Sequence, residues 1–164
     1  MHDMVETEFR MAMRRLAATV TILTLEDRGR PMGMAATAVC SLSIDPPSIL
    51  ACINQAARLH PLLVGADRFG LNILADDQDD IVRRFSDPRF RKTRIDDVDW
   101  HFESGDVPVI AGSQASLVCA RSEVLQHASH SIVIGEVISA NVCTDIRPLL
   151  YVDGGFARHV RADS

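Results

Sequence analysis

Six histidines and four cysteines are the chain's best metal ligands and nucleophiles, and their spacing decides which chemistry is open to it. His2, His60, His101, His127, His130 and His159 form no HxH or HExxH arrangement, and the region of His127 and His130 reads as strand and turn, where residues three apart do not share a face. No metal is expected. Cys40, Cys52, Cys119 and Cys143 include no CxxC pair, and three of them sit in apolar runs where a thiol acts as a small hydrophobe. Free, buried thiols in a reducing cytoplasm are the expectation. A Gly-x-Ser-x-Gly elbow, a phosphate-binding P-loop and a Gly-x-Gly-x-x-Gly fingerprint are all missing, so ordinary hydrolase, P-loop and Rossmann chemistry have no support.

Two other features carry more. From Met32 to Ser43 the chain is built of small and apolar residues, and small side chains let another backbone or a flat ligand come close. A tightly packed structural strand would read the same way. The 17 basic residues include a single lysine, Lys92, so the cations are nearly all guanidinium groups, which hold phosphate and carboxylate through paired donors. The net charge of -5 argues against a sequence-independent nucleic-acid binder but leaves room for a local arginine pocket around one phosphate.

The 164 residues suit one domain, spanning 1–164, with enough core to fold without staples. The polar, acidic start lacks the basic and apolar regions of a signal peptide, and no apolar run approaches the ~20 residues of a membrane span. A cytoplasmic protein with no membrane or nucleic-acid partner is expected. Phe9, Ala12, Met13, Leu16 and Ala17 recur at helical spacing over residues 6–17, predicting a short amphipathic helix that lies on something. Residues 19–25 read as a strand, 26–31 as a hairpin turn, and 48–53 as a buried strand after the corner at Asp45-Pro46-Pro47. A short helix over 57–64, a strand over 69–74 and a helix after the acids Asp76, Asp77, Asp79 and Asp80 follow. Residues 86–99, including Arg91, read as a long surface loop or flap; strands are expected over 115–125 and 130–142. Six or seven strands, three short helices and no βαβ alternation favour a barrel: a mainly β fold with short flanking helices.

Three blocks, residues 9–25, residues 33–54 with the double proline, and Ser129 to Val137 followed by Pro148-Leu149-Leu150-Tyr151, resemble the flavin reductase family of FMN-binding split β-barrels. These are the short reductases that supply reduced flavin to two-component monooxygenases. The resemblance implies a split-barrel homodimer with flavin near the subunit interface. It also implies FMN or FAD as flavin, NADH or NADPH as hydride donor, and a flavin-dependent monooxygenase as partner. A flavin-binding carrier or sensor on the same barrel is the alternative, kept open by alanines where the family carries hydroxyls, at Ala35, Ala38 and Ala57.

Carried over residue by residue, the resemblance sets Met34, Ala35, Ala36, Thr37 and Ala38, with Ser41, Leu42 and Ser43, against the flavin ring. It sets Asn54, Gln55, Ala57, Arg58 and His60 around the phosphate, and Tyr151 and Phe156 at the closing strand. His130, after an alanine at 128 where the family has glycine, falls beside the nicotinamide or the flavin face as the catalytic candidate. A histidine satisfied at a strand start, a solvated Arg58 and a core Phe156 are the structural readings of the same residues.

Overall fold

The computed structural model describes residues 2–90 and 92–160. Its organising hairpin joins β2 (Thr21–Asp27) to β3 (Arg30–Ala36) through Arg28 and Gly29, whose φ angles of 53° and 77° are those of a primed two-residue turn. The Glu26 carboxylate accepts the Gly29 N–H, satisfying the turn. After β3 the chain runs through Thr37 and Ala38 into β4 (Val39–Ile44), which turns at Asp45-Pro46 into β5 (Pro47–Asn54). The single small-residue run of the sequence is therefore two strands, and the total is twelve among the described residues rather than six or seven.

Seven of these strands form one antiparallel sheet in the order β3-β2-β6-β9-β10-β5-β4, with β6 at Arg68–Ile73, β9 at Ala115–His127 and β10 at His130–Val142. β3 and β4 are thus opposite edges of the sheet although only two residues separate them. Laid flat, seven strands would hold those edges about 29 Å apart at ~4.8 Å per spacing, whereas three Cα steps span at most about 11 Å. The sheet must roll into a barrel, open along the β3/β4 seam. The fold is the split barrel that the sequence resembles.

Alternation along β2 serves two cores. Leu23 and Leu25 join Ile53, Phe69, Leu71, Cys119 and Val133 in one, while Ile22 joins Leu74, Val82, Phe85, Ile110 and Leu149 in the other. The buried Asn72 side chain ties the strands around them. Its Nδ2 donates to Ile22 O and Thr24 Oγ1, and its Oδ1 accepts from Ile110 N and Ser116 Oγ. Four bonds satisfy that amide fully, as burial demands.

Around the barrel, α2 (His60–Gly65) starts with Pro61 in its first turn, and α3 (Asp79–Ser86) carries Asp79 and Asp80 in its first turn and Arg83 and Arg84 in its last. Val82 and Phe85, three apart, turn its buried face to the second core. Gly33 of β3 makes that contact feasible, since a Cβ there would lie 2.8 Å from Phe85 Cε1. β7 (Trp100–Glu103) and β8 (Val107–Ile110) form a small hairpin. β1 (Ala18–Thr19), β11 (Leu149–Val152) and β12 (Gly155–Arg158) form a three-stranded sheet at the end of β3.

Three expectations change. α1 spans His2–Met13 instead of 6–17; beyond it Arg15 N and Leu16 N bond three residues back, and Arg14 turns to Asp153. Among the described residues nothing covers that helix: Phe9 and Leu16 are 60% and 67% exposed. The cysteines are free, but only Cys119 is buried, Cys52 is half-buried, and Cys40 and Cys143 are exposed. The 86–99 segment holds a 3-10 turn at Pro88–Phe90 and packs through Val98 and through Trp100 Nε1 donating to Ile95 O at 3.2 Å. Arg91 lies outside the described residues. Among those residues, no helix is long and apolar enough to cross a membrane.

Candidate functional site

β3 is an edge strand, so along its outer side alternate N–H and C=O groups have no strand partner. Two adjoining cavities of about 480 Å³ each lie along it and share Ala35 and Ser86. Both fall in the size range of small-molecule sites. The second core holds α3 against β3, and the end of α3 forms the wall between the two.

The cavity toward the seam is lined by Val20, Ala35, Ala36, Thr37 and Val82 and closed by Tyr151 and Phe156. Those two rings pack edge to face at 5.9 Å, paired across β11 and β12. Phe156 is not a core residue; it is exposed on the cavity rim. The charges here are already engaged: Arg83 pairs with Asp79 at 2.9 Å, and Asp87 accepts Arg89 Nε at 2.8 Å. Hydrogen bonds from the Arg89 side chain hold the Asp87 carboxyl below its ordinary value. What faces a ligand is small, apolar and aromatic, with backbone donors at the strand edge.

The cavity toward the β2–β3 turn has the opposite character. Met32, Gly33, Met34 and Ala35 floor it, Ala57, Arg58 and Leu59 bound one side, and Ser86, Lys92, Arg94 and Ile95 the other. Arg28 and Arg30 stand at its mouth beside Asp27. Five cations against one carboxylate give its lining a net positive charge.

The structure brings Met34, Ala35, Ala36, Thr37, Ala57, Arg58, Tyr151 and Phe156 of the expected residues to these two cavities. Ala38 lies just past them, its carbonyl accepting Cys52 N at 2.8 Å. Ser41, Leu42 and Ser43 lie on β4, across the seam, and line neither cavity; the Ser43 hydroxyl bonds the backbone of Asp45. Asn54 shapes the turn toward Arg58 by accepting Ala56 N at 2.8 Å, and Gln55 Nε2 donates to His130 O at 3.1 Å. His60 is directed to Ser131, its Nε2 2.8 Å from the hydroxyl, instead of to either cavity. His130, exposed and 2.9 Å from Ser129 Oγ through Nδ1, stands at the head of the β9–β10 hairpin. Its strand pairs with β5 at Asn54, so it is tied to the turn that presents Arg58.

Several lining residues were not singled out for a site from the sequence: Arg28, Arg30, Val82, Phe85, Ser86, Lys92 and Arg94. Arg28 lies in, and Arg30 directly after, a turn that opens into the small-residue strand, and that adjacency was the available signal. Nothing local distinguishes Phe85 and Ser86, which reach the site only because α3 packs on β3. Among the described residues no cluster of three or more His, Cys, Asp or Glu side chains could hold a metal ion.

Residues 13–159 match the family model described as flavin reductase like domain. The chain is 37% identical over 145 residues, 87% of its length and 81% of the relative's, to the reductase component of FADH(2)-dependent resorcinol hydroxylase from Rhizobium sp. strain MTP-10005. It is 34% identical over 154 residues, 93% of its length and 86% of the relative's, to the FMN reductase (NADH) SmoA of Agrobacterium fabrum. Among solved structures, the NADH:FAD oxidoreductase SgcE6 of Streptomyces globisporus superposes with a TM-score of 0.87 at 29% identity, covering 97% of this chain and 90% of that one.

Proposed function

The chain belongs to the flavin reductase like domain family, and from that premise we propose that residues 1–164 form one NAD(P)H:flavin oxidoreductase domain. It reduces FMN or FAD with a reduced nicotinamide and supplies the reduced flavin to a partner monooxygenase. The observation that carries this reading is the pairing along β3 of an aromatic, charge-satisfied cavity with a cation-rich one. A flavin nucleotide has that polarity: a flat ring at one end and phosphate at the other.

The residues present fit such a group. Ala35, Ala36 and Thr37 offer a floor without bulky side chains and an open strand edge whose backbone groups can bond the polar edge of a ring. Arg58, in the turn braced by Asn54, supplies paired donors to a phosphate. When bound, the flavin supplies the hydride acceptor, and the polypeptide contributes alignment and exclusion of water. Tyr151 and Phe156 would cover the ring end. His130, at the head of the β9–β10 hairpin, would donate to the nicotinamide or to the reduced ring once both are bound. It needs no role as a base, since hydride transfer moves no proton at that atom.

The working unit is a homodimer. Along α1 and just beyond it, Met4, Val5, Phe9, Met11, Met13 and Leu16 are all exposed, an apolar surface that the described residues leave uncovered. Four unpaired cysteines suit a reducing cytoplasm.

Flavin-stripped protein mixed with FMN or FAD tests the reading, with NADH and then NADPH consumption followed at the nicotinamide band. Rapid oxidation that depends on flavin is expected. Flavin binding without oxidation would make the protein a carrier or sensor, and no binding would mean that the barrel holds another ligand.

A further inference from the structure

The cation-rich cavity holds more positive charge than the single phosphate of FMN requires. Arg58 alone can grip one phosphate through paired donors, yet Arg28 and Arg30 from the β2–β3 hairpin and Lys92 from the 86–99 segment line the same space. Most arginines elsewhere are held, Arg10, Arg14, Arg83, Arg84, Arg89, Arg121 and Arg147 by a carboxylate and Arg68 by the Ser104 carbonyl, while Arg15 and Arg158 stand unpaired among the described residues but away from this cavity. Arg28, Arg30, Arg58 and Lys92 make no ion pair or side-chain hydrogen bond among the described residues. Lys92 is also the only lysine of the chain.

Four uncommitted cations from three separate elements therefore converge on one cavity of about 480 Å³, next to a ring-sized cavity of the same volume. Asp27 is the one carboxylate in the lining, and the excess of like charge over it is unfavourable unless a further anion joins the cations. Met32, Met34, Leu59 and Ile95 give the same cavity apolar walls, which a bare phosphate would not use but the flat face of a base would.

We infer that this cavity is a site for the adenosine diphosphate half of a dinucleotide, so that the chain's preferred flavin is FAD over FMN, with Arg28, Arg30 and Lys92 as the residues that set the preference. The inference rests on the flavin reductase reading for the identity of the ligand. The diphosphate site itself stands on the cavity alone. Arg58 takes the phosphate shared by both flavins, and the hairpin arginines and Lys92 take the second phosphate, which FMN lacks. The same diphosphate chemistry belongs to a nicotinamide dinucleotide, so the test must separate the two.

Dissociation constants of FAD, FMN and ADP for the flavin-stripped full chain would be measured by flavin fluorescence and calorimetry, without nicotinamide, for the wild type, Arg30→Ala and Lys92→Ala. FAD is expected to bind at least about tenfold more tightly than FMN, the size of one charge-assisted hydrogen bond. Each variant is expected to lose about that factor for FAD and for ADP, with the FAD-to-FMN ratio falling toward one. Arg30 and Lys92 are exposed, so the variants should keep the wild-type unfolding curve, and Arg30→Lys should recover part of the lost FAD affinity. Equal affinity for FAD and FMN in the wild type overturns the inference. So does a loss in the variants for ADP with FAD affinity unchanged, which would give the cavity to the other dinucleotide, the hydride donor. ADP binding that depends on Arg30 and Lys92 in a protein that reduces neither flavin would sink the reductase reading and leave the diphosphate site standing.

Discussion

On the proposed reading Arg58 and His130 serve one ligand system, and their removal should separate binding from turnover. Arg58→Ala takes away the paired donors beside Ala57 in the cation-rich cavity. It is expected to weaken FMN about tenfold while riboflavin, which has no phosphate, is bound nearly as before. Equal losses measured for the two ligands would take Arg58 out of the phosphate site. His130 lines neither cavity of its own chain but stands at a hairpin head, joined to the Arg58 turn through the Gln55 bond. His130→Ala should slow NADH oxidation and leave FMN affinity within a few fold; an unchanged rate in stopped flow would give the side chain a structural role only. Cys119 bears on stability instead. Burial pushes its thiol from 9.0 up to about 12, so the folded protein keeps a proton that the unfolded chain releases. Its contribution is fully present below the unfolded value and is lost as pH rises through the folded one. Urea midpoints should therefore decline between about pH 9 and pH 12 more steeply for the wild type than for Cys119→Ala. Parallel slopes would mean that the thiol ionises freely in the native state.

At the scale of elements the sequence was most legible where local chemistry and tertiary context agree. The Arg28-Gly29 turn, the Pro-bounded β5, the helix after the aspartates and the 130–142 strand all lie where turn residues, dipole complementarity and β-branched runs put them. The break at Thr37-Ala38 was not legible. No glycine or proline marks it, and the chain keeps its extended character while leaving one sheet edge for the other. For the same reason Ser41, Leu42 and Ser43 look continuous with the Ala35–Thr37 floor, although the structure puts them across the seam. The cation-rich cavity was only half visible, because it joins a hairpin, a turn and a loop that are distant in sequence. Gly33 shows how closely the elements bind that cavity together. Its missing Cβ leaves room for Phe85, and Gly33→Ala would set a methyl 2.8 Å from Phe85 Cε1 and 3.2 Å from Ile22 Cγ2. Overpacking of this kind typically costs about 1–3 kcal/mol. Because Phe85 is also a wall of the cavity, the variant should lose both stability in urea and affinity for flavin. Stability retained with full affinity would show that α3 is free to shift off β3.

For the whole molecule, what matters is the surface that the protomer leaves bare. An amphipathic helix is expected to bury its apolar stripe, and the spacing of Phe9, Ala12, Met13 and Leu16 supplies one. In the protomer none of these four is buried. Sequence periodicity tells that a face is to be covered, but it is silent on whether the cover comes from the same chain. The helix is nonetheless anchored at its base, where Arg14 Nε bonds Asp153 Oδ1 at 3.0 Å and Asp153 N bonds Arg14 O at 2.8 Å. A further groove formed by Phe9, Met13, Leu16, Thr37 and Tyr151 lies between the helix and the ring-side cavity. A second copy seated on α1 would thus reach the rim of the proposed flavin site as well as cover the stripe, and assembly and activity should fail together. Sedimentation of the wild type at micromolar concentration should give a dimer, a stable association of this kind burying on the order of 1,600 Å² in total. Phe9→Glu combined with Met13→Glu places two carboxylates in that stripe, distant from both barrel cores. The variant should keep the unfolding transition of an isolated barrel, sediment as a monomer and lose most of its flavin-dependent NADH oxidation. A wild type that is fully active as a monomer would detach α1 from the site and leave its apolar stripe to a different partner.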